Sequence, residues 1–211
     1  IGIHMGTSNP NMVYHGARVG GVATSPMAIS VPRGDGKIIS LDMATAIAGV
    51  GKLMAHKATN TPLGEGWALD GDGNPTTDPQ KAEVPTPLGG PKGSGLSLMF
   101  ECITSLMVGP SLIGRWVTGE AQVHKQNVVL VAVDIGAFID LDDYKAEADY
   151  LVGALKDLPR ADGVDEIFMP GERGDAMYEQ RLRDGIPVPA KVWADIGKVA
   201  ERFGVEMAET D

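Results

Sequence analysis

Residues Leu88 to Gly109, LGGPKGSGLSLMFECITSLMVG, constrain this chain more than any other stretch. Glycines at 89, 90, 93 and 95 surround one lysine, Lys92, and lead straight into an apolar run of helical length. Glycine lets the backbone pass close to a neighbour at little steric cost. The first-turn N–H groups of a helix entered this way point toward whatever occupies the turn. With Lys92 as a movable cation, two readings stand open: a turn that receives a ligand phosphate, or a glycine-rich entry to a core helix whose lysine faces water. Leu96, Met99, Ile103 and Leu106 fall on one helical face and Leu98, Phe100, Cys102 and Met107 on others, which predicts a helix buried nearly all round.

The rest of the composition narrows the class. A chain of 211 residues is long enough for a real core and for one or two domains. No run of 18 apolar residues is present, and IGIHMGTSNP lacks the basic-then-apolar shape of a secretory leader. A net charge of -10 weighs against nucleic acid, which calls for a basic face. The single cysteine, Cys102, fits a reducing, cytoplasmic setting and reads as helix filler. Residue 1 is an isoleucine, and the expectation is a chain that begins within a strand.

From the start, residues 1–13 read as a short strand followed by the turn Gly6-Thr7-Ser8-Asn9-Pro10. His15 beside Arg18 can meet an anion or can sit solvated in a loop. Met27 to Val31 and Lys37 to Leu41 read as two strands joined through Pro32-Arg33-Gly34-Asp35-Gly36. Asp42 then reads as the N-cap of a helix from about Met43 to Lys57. Its small residues, Ala44, Ala46, Ala48, Gly49 and Gly51, imply close packing, and His56 lies in its last turn. The run Asp70 to Asn74 resembles a calcium loop until counted. Pro75 and Lys81 stand where an EF-hand needs glycine and glutamate, so the run reads as a turn.

Residues 111–127 read as irregular. Val128 to Val133, VVLVAV, is the strongest strand signal and predicts burial on both faces. Helices follow at about Asp142 to Asp157, Asp175 to Arg183 and Ala190 to Phe203, the last with Val192, Trp193, Ile196, Val199 and Ala200 on its core face. Neither G-x-G-x-x-G nor the Walker phosphate loop occurs. Ser94 does not sit in a G-x-S-x-G elbow, and no histidine pair has zinc spacing, so no metal is expected. Residue by residue, the chain reads as a mixed α/β protein with one anion or cofactor site.

Several motifs in colinear order carry a specific resemblance: IGI…TSN…HGA, ATSPMAISVP, LDMATA, GWALDGDGNPTTDP, PLGGPKGSGLSLMFE and MPGER…RLRDGIPVPAKVW. Together they resemble the malate/L-lactate/ureidoglycolate dehydrogenase family, which also includes sulfolactate dehydrogenase and the piperideine/pyrroline carboxylate reductases. The resemblance implies a mixed α/β fold of the sulfolactate dehydrogenase type, with a largely antiparallel central sheet flanked by helices and no Rossmann domain. It implies an oxidoreductase that uses NAD or NADP to interconvert a 2-oxo acid and a 2-hydroxy acid, or alternatively reduces a cyclic imino acid. It also implies a homodimer. Residues 1–127 are then expected to form the cofactor-binding domain, with 128–211 completing the fold and carrying the Pro-Gly-Glu cofactor loop.

Site residues carry over motif by motif. Ser8 is similar to the family's cofactor-contacting serine. Ser40, Leu41, Asp42, Met43 and Ala44 resemble the strand end whose backbone lines the cofactor. Lys92 resembles the lysine of the KGxGL motif, and Gly171, Glu172 and Arg173 resemble the loop that closes on the nucleotide. The family's Gly-Thr-Asn-Pro turn is Ala23-Thr24-Ser25-Pro26 here. The family's proton-donating histidine and carboxylate-binding arginine lie in an N-terminal portion before residue 1. None of His4, His15, His56 or His124 matches that histidine, so the catalytic acid is left unassigned. The resemblance therefore expects a separate N-terminal fragment to supply those groups, or else a non-catalytic subunit. Arg18 and Arg33 are candidates for reading a 2′-phosphate.

Overall fold

A computed structural model describes residues 1–120 and 123–208. The chain divides into two compact units, Ile1–Gly171 and Glu172–Asp211.

The first unit is built on a four-stranded sheet in the order β5-β4-β1-β9, antiparallel throughout. Its strands are β1 (Gly2–Ser8), β4 (Met27–Pro32), β5 (Ile38–Met43) and β9 (Gln126–Ala132). The β4–β5 hairpin expected around residues 32–36 forms, with Asp35 at φ 59 in its turn. Between these strands lie β2 (Met12–Val13) paired with β3 (Gly20–Val22), and a small sheet of β7 (Pro75–Thr76), β6 (Ala68–Leu69) and β8 (Val84–Pro85). Asp70 caps its own turn there, its Oδ1 accepting from Asp72 N–H and Asn74 N–H at 3.1 and 2.8 Å.

Helices α1 (Val50–Thr59), α2 (Pro91–Thr104), α3 (Leu112–Val117) and α4 (Leu141–Lys156) complete this unit. Two apolar clusters sit beneath them. One joins Met12, Val22, Ala46 and Ile113. The other joins Ala48, Leu53, Leu63 and Ala68, with Trp67 and Ala82 against it. In the second unit, α5 (Glu172–Asp184) is followed by α6 (Ala190–Phe203), which ends at Gly204 in the left-handed region. The stripe expected to form a core face on α6 stays open, with Val192, Ile196 and Val199 all exposed.

Four expectations are corrected. Asp42 caps no helix: it pairs with Ala28 inside the β4–β5 ladder, and α1 starts at Val50 behind Gly49. The small residues between are spent on a close crossing, where Ala46 bridges Pro87. Residues 112–117 are helical, because Ser111 caps them by accepting from Gly114 N–H. β9 is a strand but is not buried on both faces. It is an edge strand, and Val128 and Leu130 are exposed.

The fourth correction concerns α2. Its buried stripe is Gly93, Ser97, Phe100, Glu101 and Thr104, at helical spacing, while Leu98 and Met99 face outward. Small and hydroxylated side chains let this helix lie close to the backbone. Ser97 Oγ donates to Ala23 C=O at 2.7 Å and lies 2.8 Å from Ser25 Oγ. Ser25 is held at φ 31 where the family's turn has asparagine, a residue more at ease in that region.

Candidate functional site

Strand β5 links the expected cofactor residues on one side of the first unit. At one end Ser40 N–H donates to Pro170 C=O at 3.1 Å. Gly171 follows at φ 99, and a Cβ there would come within 3.3 Å of Ser40 C=O. The positive φ favours glycine at 171, and the contact with Ser40 would be tight for any larger residue. Ser40 Oγ lies 2.8 Å from Ser30 Oγ across the ladder. At the other end the strand stops at Met43, and two residues further on Thr45 C=O accepts from Leu88 N–H at 2.8 Å. Residues 40–45 therefore connect the Pro170–Gly171 segment to the glycine turn.

The glycine turn is tightly made. Gly89 and Gly90 have φ 58 and 60. Gly93 is packed so closely that a Cβ would strike Thr45 C=O and lie 2.6 and 2.7 Å from Leu88 N and O. The first-turn N–H groups do not stand open as expected. Gly90, Lys92, Gly93 and Ser94 donate to Pro87, Gly89, Leu88 and Gly90. What the turn presents is the Lys92 side chain, exposed and lying over Gly89, with no ion pair among the described residues. Thr45, whose C=O packs against Gly93, has its Oγ1 buried without a hydrogen-bond partner. A cavity of about 300 Å³ opens on the same turn, lined in part by His15, Gly16, Ile47, Thr86 and Gly90.

Ser8 stands elsewhere on the sheet, at the end of β1 opposite Gln126 of β9, with its Oγ donating to Asn9 C=O at 3.2 Å. Strand alternation puts Ser8, Ser40 and Asp42 on one sheet face and Thr7 on the other. Thr7 turns toward α2 and donates to Glu101 Oε2 at 3.4 Å. The structure thus brings Ser40 to Gly171 and Thr45, the neighbour of Ala44, to the lysine turn, and leaves Ser8 at the end of β1 on the same face as Ser40. Glu172 and Arg173 open α5 in the second unit, and each has an interaction partner. Arg33 is occupied: its Nε donates to Asp149 Oδ1 at 2.7 Å, and Gly34 N–H donates to Oδ2 at 3.0 Å. His15 packs at Gly90, whereas the Arg18 stem packs at Gly73.

The residues at the lysine turn suit a phosphate-bearing cofactor in one respect, the exposed Lys92 cation, whereas the space at Gly93 is taken by Thr45 C=O and Leu88 and Thr45 itself is buried. Thr45 and Glu101 escaped the sequence reading. A signal for Glu101 was present: one acid amid LSLMFECITSLM.

The sequence profile of the malate/L-lactate dehydrogenase family matches residues 1–197. The malate dehydrogenase of Pyrococcus horikoshii is 32% identical over 221 residues, covering 98% of this chain and 60% of the relative. The ureidoglycolate dehydrogenase (NAD(+)) of Escherichia coli K12 is 26% identical over 198 residues, covering 89% of this chain and 55% of the relative. Among solved structures, the sulfolactate dehydrogenase of Methanocaldococcus jannaschii superposes with a TM-score of 0.77 at 28% identity. That match covers 97% of this chain and 59% of the solved one. The chain thus spans about 60% of the length of these curated relatives.

Proposed function

The chain belongs to the malate/L-lactate dehydrogenase family, and from that premise we propose that it is the cofactor-holding part of an NAD(P)-dependent oxidoreductase. The reaction is interconversion of a small 2-oxo acid and the matching 2-hydroxy acid, in a homodimer located in the cytoplasm. The bound nicotinamide supplies or accepts the hydride. The observation that carries this reading is the family match over residues 1–197, together with the exposed Lys92 at a turn whose glycines stand at φ 58 and 60.

In this reading residues 1–127 hold most of the cofactor, with Gly171 added from the following segment. Lys92 supplies a point charge to a phosphate; because the neighbouring N–H groups are already bonded, the side chain carries that contact. Backbone groups of Ser40 to Ala44 line the cofactor between its ends, and Ser8 contacts it further along the sheet face. The protein's share of the catalysis is orientation and electrostatics.

Titration with NADH and with NADPH, followed by nicotinamide fluorescence, tests the assignment. Wild type is expected to bind at least one of them, and Lys92→Ala to weaken that binding by about tenfold or more. Binding of both nucleotides unchanged by Lys92→Ala would remove the site. Following nicotinamide absorbance with pyruvate, oxaloacetate, glyoxylate derivatives and cyclic imino acids then sorts the substrate class. Turnover of the imino acids alone would overturn the 2-hydroxy acid reading.

A further inference from the structure

Glu101 is 2% exposed, in the middle of α2. Its carboxylate takes five donors from three directions. Oε1 accepts from Ser111 Oγ at 2.7 Å, Leu112 N–H at 2.7 Å and Ile113 N–H at 3.2 Å. Oε2 accepts from Ser105 Oγ at 2.8 Å and Thr7 Oγ1 at 3.4 Å. Ser105 Oγ in turn accepts from Asn127 Nδ2 on β9 at 3.2 Å. No lysine or arginine is among these donors, so this is not a salt bridge. A buried acid is costly to keep, and an apolar side chain would fill the space at less cost if filling were its only task.

Among the described residues the end of β1 and the start of α3 have no other hydrogen bond to α2, while Ser105, the C-cap of the helix, is also held by its N–H to Glu101 C=O. We propose that Glu101 is a positioning residue that clamps the Thr7–Ser8 strand end and the α3 entry onto α2, and so sets where Ser8 stands relative to Lys92. The inference rests on the cofactor reading of Ser8 and Lys92. Holding Thr7 on one face of β1 fixes the pleat that presents Ser8 on the other. Lys92 lies on the same helix as Glu101, nine residues earlier and about 13 Å along its axis. One carboxylate thereby ties the strand end that carries Ser8 to the helix that carries Lys92.

Two measurements on the whole chain test the clamp. The first is amide hydrogen exchange without nucleotide in wild type, Glu101→Gln and Glu101→Ala. Glutamine keeps the shape and one acceptor for Ser111, Leu112 and Ile113, and its amide can donate to the Ser105 and Thr7 hydroxyls, so this variant folds. Exchange is expected to rise by about tenfold in Glu101→Ala, and by less in Glu101→Gln, at residues 5–9 and 111–114 while α4 is unchanged. If Glu101→Ala does not fold, the glutamine variant decides. Unchanged exchange at 5–9 overturns the clamp.

The second measurement is NADH and NADPH affinity, expected to fall by roughly tenfold in Glu101→Ala. Asp140→Ala removes the cap of α4 and serves as the control, a destabilised chain with unchanged affinity. Raised exchange with unaltered affinity overturns the link to the cofactor, and so does an equal loss of affinity in Asp140→Ala. A wild type that binds neither nucleotide overturns the cofactor reading instead, and the exchange result, which needs no ligand, still decides whether Glu101 anchors the strand end.

Discussion

Two glycines two residues apart in α2 are expected to respond in opposite directions to the same substitution. At Gly93 a methyl group would meet three backbone atoms: Thr45 C=O, and Leu88 N and O at 2.6 and 2.7 Å. None can swing aside as a side chain tip would, and moving them strains two hydrogen bonds, Gly93 N–H to Leu88 C=O and Leu88 N–H to Thr45 C=O. Overpacking of this kind costs about 1–3 kcal/mol, and fixed backbone on every side puts Gly93→Ala at the upper end. Alanine's better helix propensity returns about 1 kcal/mol. The net is a loss of about 2 kcal/mol, or roughly 4–8 °C in Tm for a chain of this length.

At Gly95, also in α2, a Cβ would have nothing within 4 Å. There only the propensity gain remains, and Gly95→Ala is expected to stabilise by up to about 1 kcal/mol. Urea unfolding followed by far-ultraviolet circular dichroism reads both, with midpoints compared at constant m. A Gly93→Ala chain as stable as Gly95→Ala would refute the close crossing of α2 over residues 45 and 88, and with it the geometry assigned to the lysine turn.

Two further predictions follow from the described contacts. Asp149 holds Arg33 and Gly34 N–H together in a half-buried clamp, so Asp149→Asn is expected to cost about 1 kcal/mol in urea unfolding, and an unmoved midpoint would show the pair to be idle. On α6 the Lys198 ammonium, by hydrogen bond and charge, holds the Asp195 carboxyl below its ordinary value of 3.8. A depressed acid stabilises the folded form above the unfolded value, and that contribution is lost as pH falls through the folded one. An NMR titration of Asp195 is expected to show a midpoint below 3.8 that rises in Lys198→Ala.

The motifs made the family legible, because glycine and proline positions mark where the backbone must bend or touch. The β4–β5 hairpin was readable for the same reason. Burial was read less well. LSLMFECITSLM looks like a helix immersed in a core, yet the side that packs is Gly93, Ser97, Glu101 and Thr104. Apolar count does not reveal which face must approach a neighbouring backbone closely, and close approach selects small and hydroxylated residues instead. Asp42 misled in a related way. A carboxylate before an alanine-rich run has the appearance of a cap, and only the pairing of Asp42 with Ala28 shows that the strand continues past it. Lys92 was legible as a cation at a glycine turn. That the adjoining N–H groups are consumed by the turn itself depends on φ values at 89 and 90 that sequence does not specify.

The single bond between Ser40 and Pro170 also governs what the outer margin of the sheet can do. A proline can accept through its carbonyl but has no N–H to return, and Gly171 at φ 99 turns the backbone out of the extended form at the next residue. The ladder is therefore stopped at one rung: residue 170 occupies the margin at Ser40 without becoming a fifth strand. Among the described residues β5 therefore remains the margin of the four-stranded sheet, with Pro170 held against Ser40 and not paired as a further strand.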